Sequence, residues 1–410
     1  MPTEQETVEL VVGPVAHGGH CVARLDGRVV FVRHALPGER VLARLTETGD
    51  GRAFWRADAV EVLAASPDRV PSAWPAAGPG GVGGGELSHV ALPAQRAWKR
   101  AVLEEQLRRL AHDEREVPVV AAPGDDERAG LAWRTRIDLV ADDAGRAGMY
   151  RHRSHEVVAL ADMPLATPDI AALGLFERRW PAGARIEVAV PAGAASGVVL
   201  VDGAPFDLAR GRLDPRPNAR STVQEHVVTR AGRWTYRVSA AGFWQVHREA
   251  PAVLVEAVLE AAGDLAGARV LDLYSGAGLF TLPLADAVGA GGAVLAVEGD
   301  DRAVRDARRL VHDRPEVTLR VGDVAHVLTS GVAHADVAVL DPPRTGAGRR
   351  VVEALGALGP DRVVYVACDP AALARDVALL GAQGYQLQAV TGYDLFPMTH
   401  HVEAVAVLAR

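Results

Sequence analysis

Cys368 is one of only two cysteines in the 410-residue chain, the other being Cys21. A free cysteine is most often a small buried hydrophobe, but as a thiolate it is a strong nucleophile. It lies in Tyr365-Val-Ala-Cys368-Asp-Pro370, where an apolar run gives way to polar residues. Four carboxylates fall at junctions of the same kind. Asp272 opens Asp272-Leu-Tyr-Ser-Gly-Ala-Gly278, Glu298 and Asp323 each follow an apolar run, and Asp341 opens Asp341-Pro-Pro-Arg344. Open α/β sheets bind ligands beyond the carboxyl ends of their strands, so these five residues are expected to share one site. Gly276 and Gly278 allow a tight turn and close approach to a ligand. Their G-x-G lacks the third glycine of a dinucleotide fingerprint, and taken alone it also suits an ordinary turn. Glu298 is suited to ribose hydroxyls and Asp323 to an adenine amino group, so a nucleoside cofactor is expected. NAD competes for this role, but Asp272 suits the ammonium group of S-adenosylmethionine better. Pro342 and Pro343 make a rigid loop, on which Asp341 can grip the edge of a planar base or simply end a strand.

The tail Phe396-Pro-Met-Thr-His-His-Val-Glu403 places a glutamate at the entry to an apolar strand, where it is either solvated or has a task. His400 and His401 are metal-ligand types. No third ligand has suitable sequence spacing, so no metal is expected.

The elements that must position these residues change character along the chain. Short apolar stretches at 8–12, 21–25, 29–32, 40–46 and 57–63 are separated by Gly, Pro and Asp, which predicts a small β-barrel over 1–65. Residues 67–85 are a Pro/Gly-rich loop. Leu103, Leu107 and Leu110 share one face of a helix over 96–112, expected to pack on the catalytic domain. Strands at 133–140, 146–150, 156–160, 185–190 and 197–201 predict an antiparallel sheet, wet on one side, in a central α+β domain over 66–225. From 226 to 410, helices alternate with strands at 269–273, 293–297, 318–321, 337–340 and 363–367. That alternation predicts an α/β, doubly wound, Rossmann-like domain, closed by an antiparallel edge pair at 386–394 and 402–408.

Composition adds exclusions. There is no apolar run long enough for a membrane helix and no secretion signal at the start of the sequence. Two distant cysteines fit a reducing cytoplasm rather than a disulfide framework. A net charge of −8 disfavours indiscriminate nucleic-acid binding.

Four motifs resemble the RNA (uracil-C5)-methyltransferase family: Phe243-Trp-Gln245, Asp272 to Gly278, Asp341-Pro-Pro-Arg344, and Cys368-Asp-Pro with Phe396-Pro-x-Thr-x-His-Val-Glu403. The first 65 residues, with Gly13, Gly18, Gly19, Val22-Ala-Arg24 and Ala35-Leu-Pro-Gly-Glu39, resemble the RNA-binding TRAM barrel. The resemblance implies that Cys368 adds to uracil C6 and that C5 attacks the methyl group of S-adenosylmethionine. Glu403 then removes the C5 proton. Gln245, Tyr274, Gly276, Gly278, Glu298, Asp323 and Asp341 would contact the cofactor. Asp341, Gln245 and Asp369 would face the base, which must leave its stack to reach the thiol. Arg134, Arg136, Arg151 and Arg153 either meet phosphates or form a solvated charged face. The implied partner is structured ribosomal or transfer RNA, and the implied protein a monomer.

The chain departs from the family in three places. Many relatives hold a four-cysteine iron–sulfur cluster, but the matching positions here are Trp74, Val82, Gly85 and Met163. Two cysteines cannot supply four thiolates, so no cluster is expected and the loop around 80–85 is expected to be mobile. Asp369 stands where Asn is common, which either alters base pairing, opening a route to cytosine, or merely caps a helix. Leu279 stands where some relatives place a polar residue, so one cofactor hydrogen bond is expected to be missing. Other readings remain: a diverged enzyme acting on a nucleoside or specialised metabolite, or a non-catalytic RNA-binding protein. The retained barrel argues against the first, and intact Cys368 and Glu403 against the second.

Overall fold

The computed structural model describes residues 5–49, 51–193 and 196–410. Six strands from Thr7–Val11 to Trp55–Ala64 build the N-terminal sheet, and Arg28–Arg33 runs parallel to Trp55–Ala64 while the other pairs are antiparallel. Alternation decides the inside: Val41, Ala43 and Leu45 of strand Arg40–Glu47 are fully buried while Arg40 and Arg44 point outward. The two-residue strand Val15–Ala16 is too short to carry a sequence pattern.

The helix begins earlier than its periodicity indicated, at Leu92–Gln106, because Pro93 in the first turn has no N–H to lose. A π-helical turn, Leu107–Ala111, follows and stops at His112, in a left-handed conformation (φ 56°). This helix is a hinge-pin between cores. Trp98 and Val102 pack into the barrel core, whereas Leu103 and Leu107 belong to the catalytic core.

The central sheet has seven antiparallel strands, with Arg136–Ala141 and Arg185–Ala189 paired at its middle. Ile137, Leu139, Ile186 and Val188 face a core that also holds Trp74, Trp133 and Trp180. The other side is not uniformly wet. Val198 and Leu200 pack with Val223 of the hairpin Thr222–Val228/Arg233–Ser239. A domain boundary at 225/226 would cut the first strand of that hairpin.

The catalytic sheet has eight strands. Arg269–Leu273 lies between Ala293–Glu298 and Val337–Leu340, followed by Arg362–Ala367, all parallel. Glu403–Ala409 then runs antiparallel, with Gln386–Asp394 beside it. That pair is not the edge. Val119–Ala121 adds a further parallel strand outside it. Both faces are covered, so the strands are continuous apolar runs. Leu271, Leu273 and Leu340 face one helix layer, while Val270, Val337 and Val339 face the other. No described helix is long and apolar enough to cross a membrane.

Candidate active site

Strand register brings the nucleophile and the glutamate together. Val366 faces Val405 and Ala367 faces Ala404 in the antiparallel pairing. The pairing ends there, so Cys368 directly follows one strand and Glu403 directly precedes Ala404 on the other, and the charge of Glu403 acts on the Cys368 thiol. Glu403 is buried, 4 % exposed, and Cys368 is half-buried. Burial pushes the Cys368 thiol up to about 12, and the charges of Glu403 and Asp341 add to the effect. Burial, with the charge of Asp341, holds the Glu403 carboxyl well above the usual range. Arg344 opposes both shifts. It is exposed at the rim, and it is a residue whose part in the site could not be read from the motif alone.

The loop bearing Asp341 is fastened from behind. The Tyr365 hydroxyl donates to Asp376 (2.6 Å), and the Ala347 amide donates to both Asp376 (2.7 Å) and Tyr365 (3.1 Å). Gly346 takes φ 87°, and a Cβ there would lie 2.6 Å from Asp376 Oδ2, so only glycine fits the clamp. Asp341 is partly accessible but densely enclosed, and that enclosure, with the charge of Asp272, pushes its carboxyl up to about 7.

Asp272 sits on the central strand, 1 % exposed. The Thr281 hydroxyl donates to its Oδ2, and its Oδ1 is buried with no partner among the described residues. Burial, reinforced by the charge of Glu298, pushes Asp272 up to about 7. Ser275 Oγ is also buried without a partner. Two orphaned polar atoms three residues apart in sequence are costly and fit a polar ligand group at this strand end. Tyr274 adopts φ 63° and Gly276 φ 57°, and a Cβ on Gly276 would meet nothing within 4 Å. Gly278 takes φ 91°, a conformation that strains any residue with a side chain. Glu298 receives the amides of Gly276 (2.8 Å), Gly299 and Asp300 (both 2.7 Å). That fixes its carboxylate against the turn while Oε2, which accepts only the Gly276 amide, keeps room for a further donor. Asp323 is exposed and caps the helix Val324–Thr329 through the His326 amide. The residues thus fit S-adenosylmethionine: Asp272 for the ammonium, Glu298 for the ribose, Asp323 for the adenine. Gln245 is buried at the loop leading into helix Ala250–Ala262, beside exposed Phe243. Leu279 packs in the core, and its carbonyl accepts from Tyr236 (2.9 Å), so it contributes no polar side chain here.

Asp369 has other duties. One oxygen caps helix Pro370–Ala382 through the Ala372 amide (2.8 Å), and the other meets His17 Nε2 of the barrel (3.2 Å). Arg136 is neither a phosphate ligand nor a solvated residue. It is 7 % exposed, pairs with Glu225 (3.1 Å) and donates to the carbonyls of Ser239, Ala240 and Gly242. Arg151 pairs with Glu156, and Arg153 reaches Glu47 of the barrel. Arg134 stacks over Trp133, and burial lowers its affinity for a proton.

The loop around 80–85 is packed rather than loose. Trp74 and Val82 are 2 % and 3 % exposed and share a core with Met163. A Cβ on Gly85 would lie 2.7 Å from the Trp74 ring. The Trp74 indole packs in one core with Val82 and Met163 and against Gly85.

Two family models match the chain: a TRAM domain at residues 3–55 and tRNA (uracil-5-)-methyltransferase at residues 329–410. An uncharacterized RNA methyltransferase of Streptomyces avermitilis is 45 % identical, over 98 % of both chains. The chain belongs to the RNA (uracil-C5)-methyltransferase family. A further RNA methyltransferase, of Bifidobacterium longum, is 43 % identical over 98 % of this chain and 96 % of its own length. Among solved structures, a Pyrococcus abyssi tRNA (uracil-54, C5)-methyltransferase in complex with S-adenosyl-L-homocysteine superposes with a TM-score of 0.70. It covers 97 % of this chain and 99 % of its own, at 23 % identity, so the likeness is one of fold. As a member of this family the protein is an S-adenosylmethionine-dependent RNA methyltransferase.

Proposed function

We propose that the protein methylates C5 of a uridine in ribosomal or transfer RNA by covalent addition of Cys368 to C6. The observation that carries this reading is that Cys368 and Glu403 flank the last residue pair, Ala367 and Ala404, of two adjacent strands, close enough for the charge of Glu403 to act on the thiol. When bound, S-adenosylmethionine supplies an electrophilic methyl group. The chain's own residues do the rest. The Asp341 carboxyl and the Gln245 amide present hydrogen-bonding groups to the O4/N3 edge of a flipped uracil. The Cys368 thiol gives its proton to solvent and the thiolate forms a C–S bond to C6, while the C5=C6 π bond opens toward the O4 enolate and leaves C5 nucleophilic. After methylation, ionised Glu403 takes the C5 proton, and elimination breaks the C–S bond. Burial disfavours the ionised forms of both Cys368 and Glu403. Arg344, the cation facing both, favours their ionised forms. Arg134 and the barrel offer contacts for the RNA backbone.

The test uses methyl-labelled S-adenosylmethionine with unmodified ribosomal and transfer RNA, followed by nucleoside mass spectrometry. We expect 5-methyluridine with the wild type and none with Cys368→Ala. Glu403→Gln is expected to accumulate a covalent protein–RNA adduct, because elimination requires the base. Label appearing with Cys368→Ala, or in 5-methylcytidine, overturns the assignment.

A further inference from the structure

His400 and His401 have no third metal-ligand type near them in sequence, but the fold supplies one. Glu86, from the loop that precedes helix Leu92–Gln106, reaches them across 314 positions of sequence. One ligand atom from each of Glu86, His400 and His401 lies within 4.8 Å of the other two. His400 Nδ1 is already in direct hydrogen-bond contact with Glu86 Oε1, and the two imidazole rings lie side by side with centroids 4.1 Å apart. We propose that these three residues form a binding site for a divalent transition metal of the zinc class.

Three features support a built site rather than a chance ion pair. First, the ligands are pre-positioned. Consecutive histidines in a strand would point to opposite faces. Here Met398 takes φ 67°, and the Thr399 hydroxyl donates to the Phe396 carbonyl (2.9 Å) while accepting from the His401 amide (3.2 Å). That turn sets both rings on one side. Second, the two segments are stitched together behind the ligands. The Leu87 amide donates to the Met398 carbonyl (2.9 Å). Gln95, with no solvent exposure, accepts from the Met398 amide (2.7 Å) and donates to the carbonyls of Val90 (2.8 Å) and Leu87 (3.2 Å). Such outer-layer bonding is what orients ligands in protein metal sites. Third, the barrel closes one side. A Cβ on Gly19 would lie 3.1 Å from His400 Nδ1 and 3.2 Å from Glu86 Cγ, so the turn presses on both. His20, next in sequence, has Nε2 buried with no partner among the described residues.

The donor set decides the metal class. Two imidazoles and one carboxylate suit borderline divalent ions, with metal–ligand bonds of about 2.0–2.2 Å. Such bonds place ligand atoms about 3–3.5 Å apart, so the Glu86–His400 pair opens slightly and gives up its shared proton while the wider separations close. Three protein ligands leave a further coordination position open. The metal would tie the loop at 80–90 to the tail that runs directly into Glu403, next to the Gly85 backbone that packs on Trp74. It touches none of the reacting atoms.

The full-length protein, freed of metal with a chelator, is titrated with Zn2+ by calorimetry and with Co2+ by visible absorption. We expect one equivalent of either ion, with cobalt giving the intense ligand-field bands of a site of low coordination number. Glu86→Gln and His400→Ala are each expected to weaken binding at least tenfold, while His312→Ala, an exposed histidine elsewhere, leaves it unchanged. The wild-type cobalt spectrum does not depend on any variant folding. Absence of saturable binding by the wild type, or binding undiminished in the Glu86→Gln/His400→Ala double variant, overturns the proposal and leaves a simple histidine–glutamate ion pair.

Discussion

Replacing Asp272 with Asn separates the two things a buried carboxylate does at the centre of the sheet. In the protein without cofactor, burial pushes this group from 3.8 up to about 7. At about 1.4 kcal/mol for each tenfold change in proton affinity, the gap corresponds to ~4 kcal/mol. The sign follows from linkage. Between about pH 4 and 7 the folded state holds a proton that the unfolded chain has released, so folding stability falls as pH rises through that window and levels off above it. Asn is the uncharged isostere and carries no such penalty. It can still accept from Thr281, leaving its amide at the position of the orphaned oxygen. Asp272→Asn is therefore expected to match the wild type in stability near pH 4. It is expected to exceed it by up to ~4 kcal/mol at pH 8. Affinity for S-adenosylmethionine should move the other way, since a hydrogen bond to a charged group contributes about 1.5–3 kcal/mol, roughly a 10- to 100-fold loss. Urea unfolding of the cofactor-free protein at several pH values, with calorimetric binding at pH 8, measures both. A stability difference that does not change with pH, or an unchanged affinity for the cofactor, would refute the reasoning.

Asp369→Ala should cost about 1–2 kcal/mol by removing a helix cap and a partly exposed ion pair. Asp369→Asn should cost under about 0.5 kcal/mol, because Asn caps as well as Asp. Product analysis of the Asn variant should still show methylated uridine alone. Trp74→Ala should destabilise by about 3–5 kcal/mol through the cavity it leaves, and Gly85→Ala by about 1–3 kcal/mol through overpacking against the same ring, both readable by denaturant unfolding. Lys99, the single lysine of the chain, is fully buried against Asp394 and also donates to the Phe396 carbonyl (2.9 Å). Lys99→Ala should cost about 3–5 kcal/mol by stranding a buried carboxylate, and should loosen the segment that leads to Glu403, detectable as faster amide exchange there.

The strands Arg269–Leu273 and Val337–Leu340 were legible to the residue. Each is an apolar run buried on both faces and closed by a chemically distinct turn. The strand-end carboxylates could be placed for the same reason, because a parallel sheet gathers its carboxyl ends on one side. What the sequence could not show depends on contacts between distant segments. Val119–Ala121 is three residues long and has meaning only beside Gln386–Asp394. Glu86 carries no local signal that it will meet His400. Asp369, read alone, could have faced a base. Only the barrel's position shows that His17 occupies its second oxygen. The hairpin at 222–239 is different. Val223, Glu225 and Val227 alternate inward, as do Trp234, Tyr236 and Val238, so that pattern was present and went unread.

The indole at Trp74 changes what the protein requires from its cell. A loop organised around an iron–sulfur cluster is complete only after iron and sulfide have been delivered, and an oxidant can dismantle it afterwards. Here the same loop closes on a side chain encoded in the gene and buried to 98 %. That packing is finished when the chain has folded, and neither iron starvation nor exposure to oxygen removes the indole from it.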